Sequence, residues 1–257
     1  MLRALRVENW DQPTMAVRWR VRDVVAHLCD TAMRRLSYQR DRLKPAGEVS
    51  RTMSQQDFVA LINNLNWTWV RVADRFSPRV LTDLYEHASD QLVEFVETLD
   101  PLADAQFPVS WAGESVSRQW LDVAREFTEI WHHGAQIRAA VGEGPFPDPR
   151  WLKAVLQISM HSLPVAGRGL PPGEDVSIVI EVTGPASGTW TLRRSRGIWD
   201  IDEGGAPAPT TSITMTDETA WRLLFNALSP LEAQSLITID GNADLARPIL
   251  AARAVIV

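Results

Sequence analysis

Two adjacent histidines stand in the stretch EFTEIWHHGAQIR, Glu126 to Arg138, among two glutamates and several aromatic and aliphatic residues. Imidazole and carboxylate side chains are the groups that take up protons near neutral pH or donate to metal ions. On a helix, positions four apart share a face, so Glu129 and His133 project side by side while His132 is turned by about 100°. Only one of the paired histidines can therefore face the same partner as Glu129. Extending that face gives Asp122, Glu126, Gln136 and Ala140; the opposite stripe is Leu121, Ala124, Thr128, Trp131 and Ala135. Either stripe can be the buried one, and this helix alone leaves open a reading in which Glu129 and His133 are solvated.

A third group changes the weighing. His27 lies in VRDVVAHLCD, flanked by Val24, Val25, Ala26 and Leu28, a setting hard to leave in water. By itself it reads as a hydrogen-bonded core histidine. Facing a Glu-x-x-x-His pair on another helix, it completes three donors that can converge inside a bundle. Two imidazoles and one carboxylate with an open position suit catalytic zinc. Cys29 is about 200° around the helix from His27 and reads as a small core residue. His87 and His161 are single, with surface or capping roles expected. The chain has no phosphate-cradling glycine loop, no Gly-x-Ser-x-Gly elbow and no His-Glu-x-x-His helix.

These donors need helices to carry them, and the first 170 or so residues show helical periodicity. The pattern predicts a helix from Arg20 to Leu43 with a stripe of Val21, Val24, Val25, Leu28 and Ala32, ending at Lys44-Pro45-Ala46-Gly47. A second opens at Ser54 and carries Phe58, Leu61, Ile62, Leu65 and Trp69. A third follows Ser77-Pro78, with Val80, Leu81, Leu84, Ala88, Leu92 and Phe95. Ser117 opens a fourth, which stops near Gly142-Glu143-Gly144-Pro145, and a fifth segment spans Pro149 to Leu163. Beyond the linker AGRGLPPGED, VSIVIEV alternates as a strand does, GTWTLRR, IWDID and TSITM follow, Asp217 to Ala227 is helical, SLITID is a strand and Asp244 to Ala254 closes as a helix. The fold class is α + α/β in two domains: a four-helix bundle over residues 1–168, then a small α+β domain, a strand meander capped by helices, over 169–257.

With 257 residues, 45% of them apolar, the chain can bury a sizeable core without staples. A formal charge of −6 with interspersed signs argues against a nucleic-acid surface. No run reaches the roughly 18 apolar residues of a membrane span, and the N-terminus lacks a signal-peptide stretch. One cysteine excludes an internal disulfide and fits a reducing compartment, so a cytoplasmic location is expected. Eleven tryptophans against two tyrosines read as core and interdomain packing.

Several of these residues resemble a known family. Trp10 followed by DQPT and then RWRVRDVVAHLCD is similar to the opening of the mycothiol-dependent maleylpyruvate isomerases, a branch of the DinB-like metal-binding bundles. Their second element, Glu-x-x-x-His-Gly on the last long bundle helix, stands here as Glu129 to Gly134. VSIVIEV, GTWTLRR, the tryptophan of IWDID, DETAWRLLFNAL and ITIDGNADLARPIL resemble the family's small C-terminal domain, itself similar to sterol-carrier-protein folds. The resemblance implies metal ligands at His27, Glu129 and His133. It implies a divalent cation, zinc first among them, and a low-molecular-weight thiol such as mycothiol as cosubstrate. The thiol would serve cis–trans isomerisation of, or S-transfer to, a small carboxylate-bearing electrophile, and Arg222 matches the arginine that the smaller domain contributes to the cleft. The expected partners are thus small molecules, with no nucleic acid or membrane, in a monomer or weak homo-oligomer. Where relatives often carry an acidic residue three positions after the second metal histidine, this chain has Gln136. A non-catalytic ligand-binding bundle and a zinc-water hydrolase with Glu126 as base are the alternatives to thiol chemistry.

Overall fold

The computed structural model describes residues 1–44, 54–170 and 175–255. The expected helix stop at Pro45-Ala46-Gly47 and the linker residues Pro171-Pro172-Gly173 lie outside them. The chain forms two compact units, Met1–Gln106 with His132–Pro145 and Phe107–Trp131 with Phe146–Val257.

In the first unit, α1 (Val21–Arg35) packs against α2 (Gln55–Ala73) and α3 (Pro78–Glu97). The start of α1 is fixed by Asp23, a buried carboxylate that accepts the Arg20 backbone N–H at 2.8 Å and the Arg20 guanidinium at 3.0 Å. The same guanidinium donates to Asp74 just past the end of α2 at 2.9 Å. Ser54 caps α2 by accepting the Asp57 N–H at 3.1 Å, and Ser77 caps α3 by accepting that of Val80 at 3.3 Å, as their sequence positions predict. The whole expected stripe of α1 is buried. On α2 the buried apolar residues among those described are Val70 and Ala73, while Leu65 is exposed; on α3 they are Leu81, Ala88 and Leu92, with Val80 and Leu84 exposed. The first helix does not continue to Leu43 in α register. It passes at Leu36–Arg40 into a π turn, where the Ser37 hydroxyl donates to the Met33 carbonyl at 2.7 Å and competes for a helix acceptor.

The long helix α4, Gln119–Ala140, runs through both units. It starts at Gln119, one residue later than a Ser117 cap would set, and the Ser117 hydroxyl is engaged elsewhere: it accepts the Val109 N–H at 2.8 Å. Its end follows the sequence, with Gly142 in the left-handed region at φ 76° and the Glu143 N–H donating back to the Arg138 carbonyl at 2.9 Å.

In the second unit, α5 (Pro149–Ser159) is capped by Asp148, and a 3-10 turn at Met160–Ser162 separates it from α6 (Leu163–Gly167). A β-carbon on Gly167 would lie 2.7 Å from the Trp199 ring, so the close approach of α6 to the sheet requires glycine there. The sheet comprises β1 (Val176–Thr183), β2 (Gly188–Ser195), β3 (Ile198–Glu203), β4 (Thr211–Thr216) and β5 (Thr238–Gly241), in the order β3-β2-β1-β4-β5. Only β1 to β3 form the expected meander. β4 crosses over to lie parallel to β1, pairing Ile180 with Ile213, and β5 returns antiparallel to β4. The helices α7 (Asp217–Leu224), α8 (Pro230–Leu236) and α9 (Ala243–Leu250) complete the unit; α7 and α9 are shorter than their sequence patterns suggest. Ile178, Ile180, Leu192, Ile213 and Leu223 are buried here. Among the described residues no helix is long and apolar enough to cross a membrane.

Candidate metal centre

Helix α1 carries His27 at its middle, 4% exposed among the valines that make its stripe. Helix α4 carries Glu129 and His133 one turn apart. The three side chains converge: each offers a ligand atom, and these atoms all lie within 4.8 Å of one another. A tetrahedral zinc with ligands at 2.0–2.1 Å separates its donors by about 3.3 Å, so modest side-chain rotation closes the trio around such an ion. Two imidazoles and a carboxylate are also the right donor chemistry for a divalent cation. The His27 and His133 rings meet edge-on with centroids 4.8 Å apart.

Both long stripes of α4 are largely covered. Asp122 and Thr128 are buried, as are Trp131, His133 and Gln136, so His133 is not a solvated residue on a wet face. The buried Asp122 carboxylate is held by the Arg125 guanidinium at 2.5 Å and the Gln119 amide at 3.2 Å. Burial works against the Arg125 charge, but Asp122, Glu126 and Glu129 outweigh it and raise its pKa. Glu126 is half-buried.

Three features around the trio were not read from the sequence. Trp19 lies with its ring centroid 4.9 Å from that of His27 and 6.2 Å from that of His133. It is presented by a short loop that Thr14 closes: the Thr14 N–H and hydroxyl both donate to the Trp19 carbonyl, at 2.9 and 2.8 Å. The Pro-Thr signature thus has a structural task, setting an aromatic wall beside two of the donors. His132 is buried rather than merely turned aside, its ring 5.1 Å from that of His133. Gln136 joins the two histidines, with Oε1 2.8 Å from His133 Nδ1 and Nε2 3.0 Å from His132 Nε2. The i−3 and i−4 spacing of the histidines from Gln136 was the signal available in the sequence.

The other singled-out residues fall as follows. Cys29 is fully buried, and burial pushes its thiol up to about 11, as suits an inert core residue. His87 is exposed and bonded to Gln91 at 2.9 Å. His161 is half-buried against the edge of Trp120, and burial lowers its pKa. Arg222 sits on α7 with its guanidinium on Glu218 at 2.6 Å. Its neighbour Trp221 meets Trp131 of α4 edge-on, with ring centroids 5.8 Å apart.

A helical bundle with a two-histidine, one-carboxylate donor cluster, followed in the same chain by a mixed five-stranded sheet, defines the class: a two-part α + α/β protein with a candidate metal centre. The family described as "Mycothiol maleylpyruvate isomerase N-terminal domain" matches residues 1–138, more than half of the chain, and the protein belongs to that family. Its fold is similar to the crystal structure of the mycothiol-dependent maleylpyruvate isomerase, at TM-score 0.53 and 14% identity over 93% of this chain and 85% of that one. A histidine-to-alanine variant of that enzyme aligns with TM-score 0.55 and 13% identity over the same shares. No curated protein matches the chain.

Proposed function

We propose that this protein is a metal-dependent enzyme that uses a low-molecular-weight thiol, mycothiol or a close analogue, on a small electrophile bearing a carboxylate. The convergence of His27, Glu129 and His133 carries the reading. A divalent cation bound there, zinc by preference, supplies the Lewis acidity that ionises a thiol at neutral pH. The chain's own residues do the rest. His27, His133 and Glu129 would hold such an ion, with Glu129 the carboxylate of the donor set. Trp19 shields the two imidazoles from water, which strengthens electrostatic interactions beside it. Arg222 is assigned to the substrate carboxylate, a role for which it must exchange Glu218 for the substrate. For an isomerisation, sulfur adds to one alkene carbon, the chain rotates about the resulting single bond, and the same carbon–sulfur bond breaks, returning the thiol. For a transfer, the bond stays and a leaving group departs.

Membership of the family supports thiol chemistry over hydrolysis. We assign the catalytic bundle to residues 1–168 and the smaller domain to 169–257, and place the protein in the cytoplasm as a monomer or weak homo-oligomer. The test is metal content of the purified protein, followed by isomerisation of maleylpyruvate with and without mycothiol. About one divalent metal per chain and thiol-dependent turnover, both lost in His27→Ala, are expected. A protein that binds no divalent metal, or turnover indifferent to the thiol, overturns the reading.

A further inference from the structure

A guanidinium drawn out of water keeps its charge, so a folded chain normally sets a carboxylate against it. Several arginines of this chain follow that rule: Arg34 lies 2.9 Å from Asp30, Arg138 2.7 Å from Glu143 and Arg222 2.6 Å from Glu218. Arg253, just past the end of α9, does not. It is half-buried, and burial lowers its pKa with no carboxylate charge opposing the shift.

The side chain is nonetheless held in one place. Its Nε donates to Asn226 Oδ1 at 3.1 Å, and its Nη1 donates to the carbonyls of Leu250 at 3.0 Å and Ala252 at 2.7 Å. The next residue, Ala254, donates its N–H to the Leu224 carbonyl at 2.8 Å, which ties this segment to the last residue of α7. Ala252 and Ala254 are buried on either side, while Asn226 is exposed. Every acceptor in this set is neutral. Nε has one hydrogen and Nη1 two, so the three bonds leave the Nη2 amino group over. Nη2 bonds none of the described residues and is not sealed from water.

We propose that the Nη2 edge of Arg253 is an anion-binding site of the second unit, and that its ligand is the carboxylate of a small molecule. Charge decides the class. One guanidinium among carbonyl oxygens balances a single negative charge, so a carboxylate fits, whereas a phosphate dianion brings a second charge that nothing there compensates. Contact is end-on, because Nε and Nη1 are occupied and the two-nitrogen fork is closed. Arg222 must leave Glu218 before it can take an anion; Arg253 displaces only water. Arg253 also bonds the carbonyl of Leu250, the last residue of α9, as basic side chains at helix ends do. That capping task uses Nη1 and leaves Nη2 free. Binding at this edge requires no metal.

The probe is acetate, followed through the arginine side-chain nitrogen–proton NMR signals of full-length, chelator-treated protein. The Arg253 Nε–H signal, identified by its absence in Arg253→Lys, is expected to move saturably with acetate and less with inorganic phosphate at equal concentration. Asn226→Asp keeps the shape of the side chain and sets a carboxylate against Nε. It should shift the same signal before any ligand is added, so the identification does not hang on Arg253→Lys folding. Acetate affinity should then fall several-fold, because the new carboxylate both neutralises the cation and repels the ligand. An Arg253 signal that ignores acetate, or acetate binding equal in wild type and Asn226→Asp, overturns the proposal and leaves Arg253 as a cap of α9 only. A stronger response to phosphate than to acetate overturns the carboxylate assignment. Metal and turnover play no part in these readings, so their failure is distinct from a failure of the proposed thiol chemistry.

Discussion

Replacing Glu129 by glutamine separates metal binding from folding. The substitution preserves the side-chain shape and deletes the one negative charge of the donor trio. In metal-free protein the substitution also removes a charge that raises the pKa of Arg125, so the metal-free arm is measured as the reference. On the proposed metal-site reading, zinc-loaded protein loses one of three protein ligands. Since disturbing a residue behind a ligand already costs about 10–100-fold in affinity, losing the ligand itself weakens binding by roughly 100-fold or more. At free zinc about 100 times the wild-type Kd, the wild type gains about 2.7 kcal/mol and the variant about 0.4 kcal/mol. For a chain of this size about 2–4 °C of Tm corresponds to each kcal/mol, so the zinc-dependent rise in Tm should be about 5–9 °C smaller in the variant. Differential scanning calorimetry with zinc and with a chelator measures both arms. Equal zinc-dependent rises in wild type and Glu129→Gln refute the assignment of Glu129 as a ligand.

Burial lowers the His161 pKa below its ordinary 6.5, against the opposing charges of Glu114 and Asp200. The unfolded chain then takes up the proton more readily than the folded one, so stability present above about pH 6.5 is lost as the pH falls through that value. His161→Gln should flatten the decline of the urea midpoint between about pH 7 and pH 5; an unchanged slope would place the acid sensitivity elsewhere. Gly188 pairs with Val182 on β2, where an added β-carbon would collide with the buried Trp190 indole. Gly188→Ala should destabilise the fold by about 1–3 kcal/mol in equilibrium urea denaturation, and a midpoint equal to wild type would show that Trp190 moves aside freely.

The donor trio was legible because its parts are local patterns. Glu129 and His133 are spaced one helical turn apart, and the valines and leucine around His27 tell which way that helix must face. What the α4 sequence could not decide was which of its stripes is buried, and the structure shows why: each is partly covered, with Asp122, His133 and Gln136 buried on one and Leu121, Thr128, Trp131 and Ala135 on the other. A helix covered on two sides has polar residues that must find partners inside, as Asp122 does with Arg125 and Gln119. Periodicity, which reports one wet and one dry face, carries no signal for that case.

Strand pairing was beyond reach for a related reason. Alternation in TSITM marks β4 as a strand, yet it does not say that its partner is β1 in parallel rather than β3 in a hairpin. Gln136 is the more instructive miss. From the sequence it registers only as a carboxylate lost, since the family resemblance leads us to expect an acid there. Its contacts become visible only once His132 and His133 are known to lie at either end of it, both buried. A position that looks like a deletion of charge is, in three dimensions, an amide set between two buried histidines.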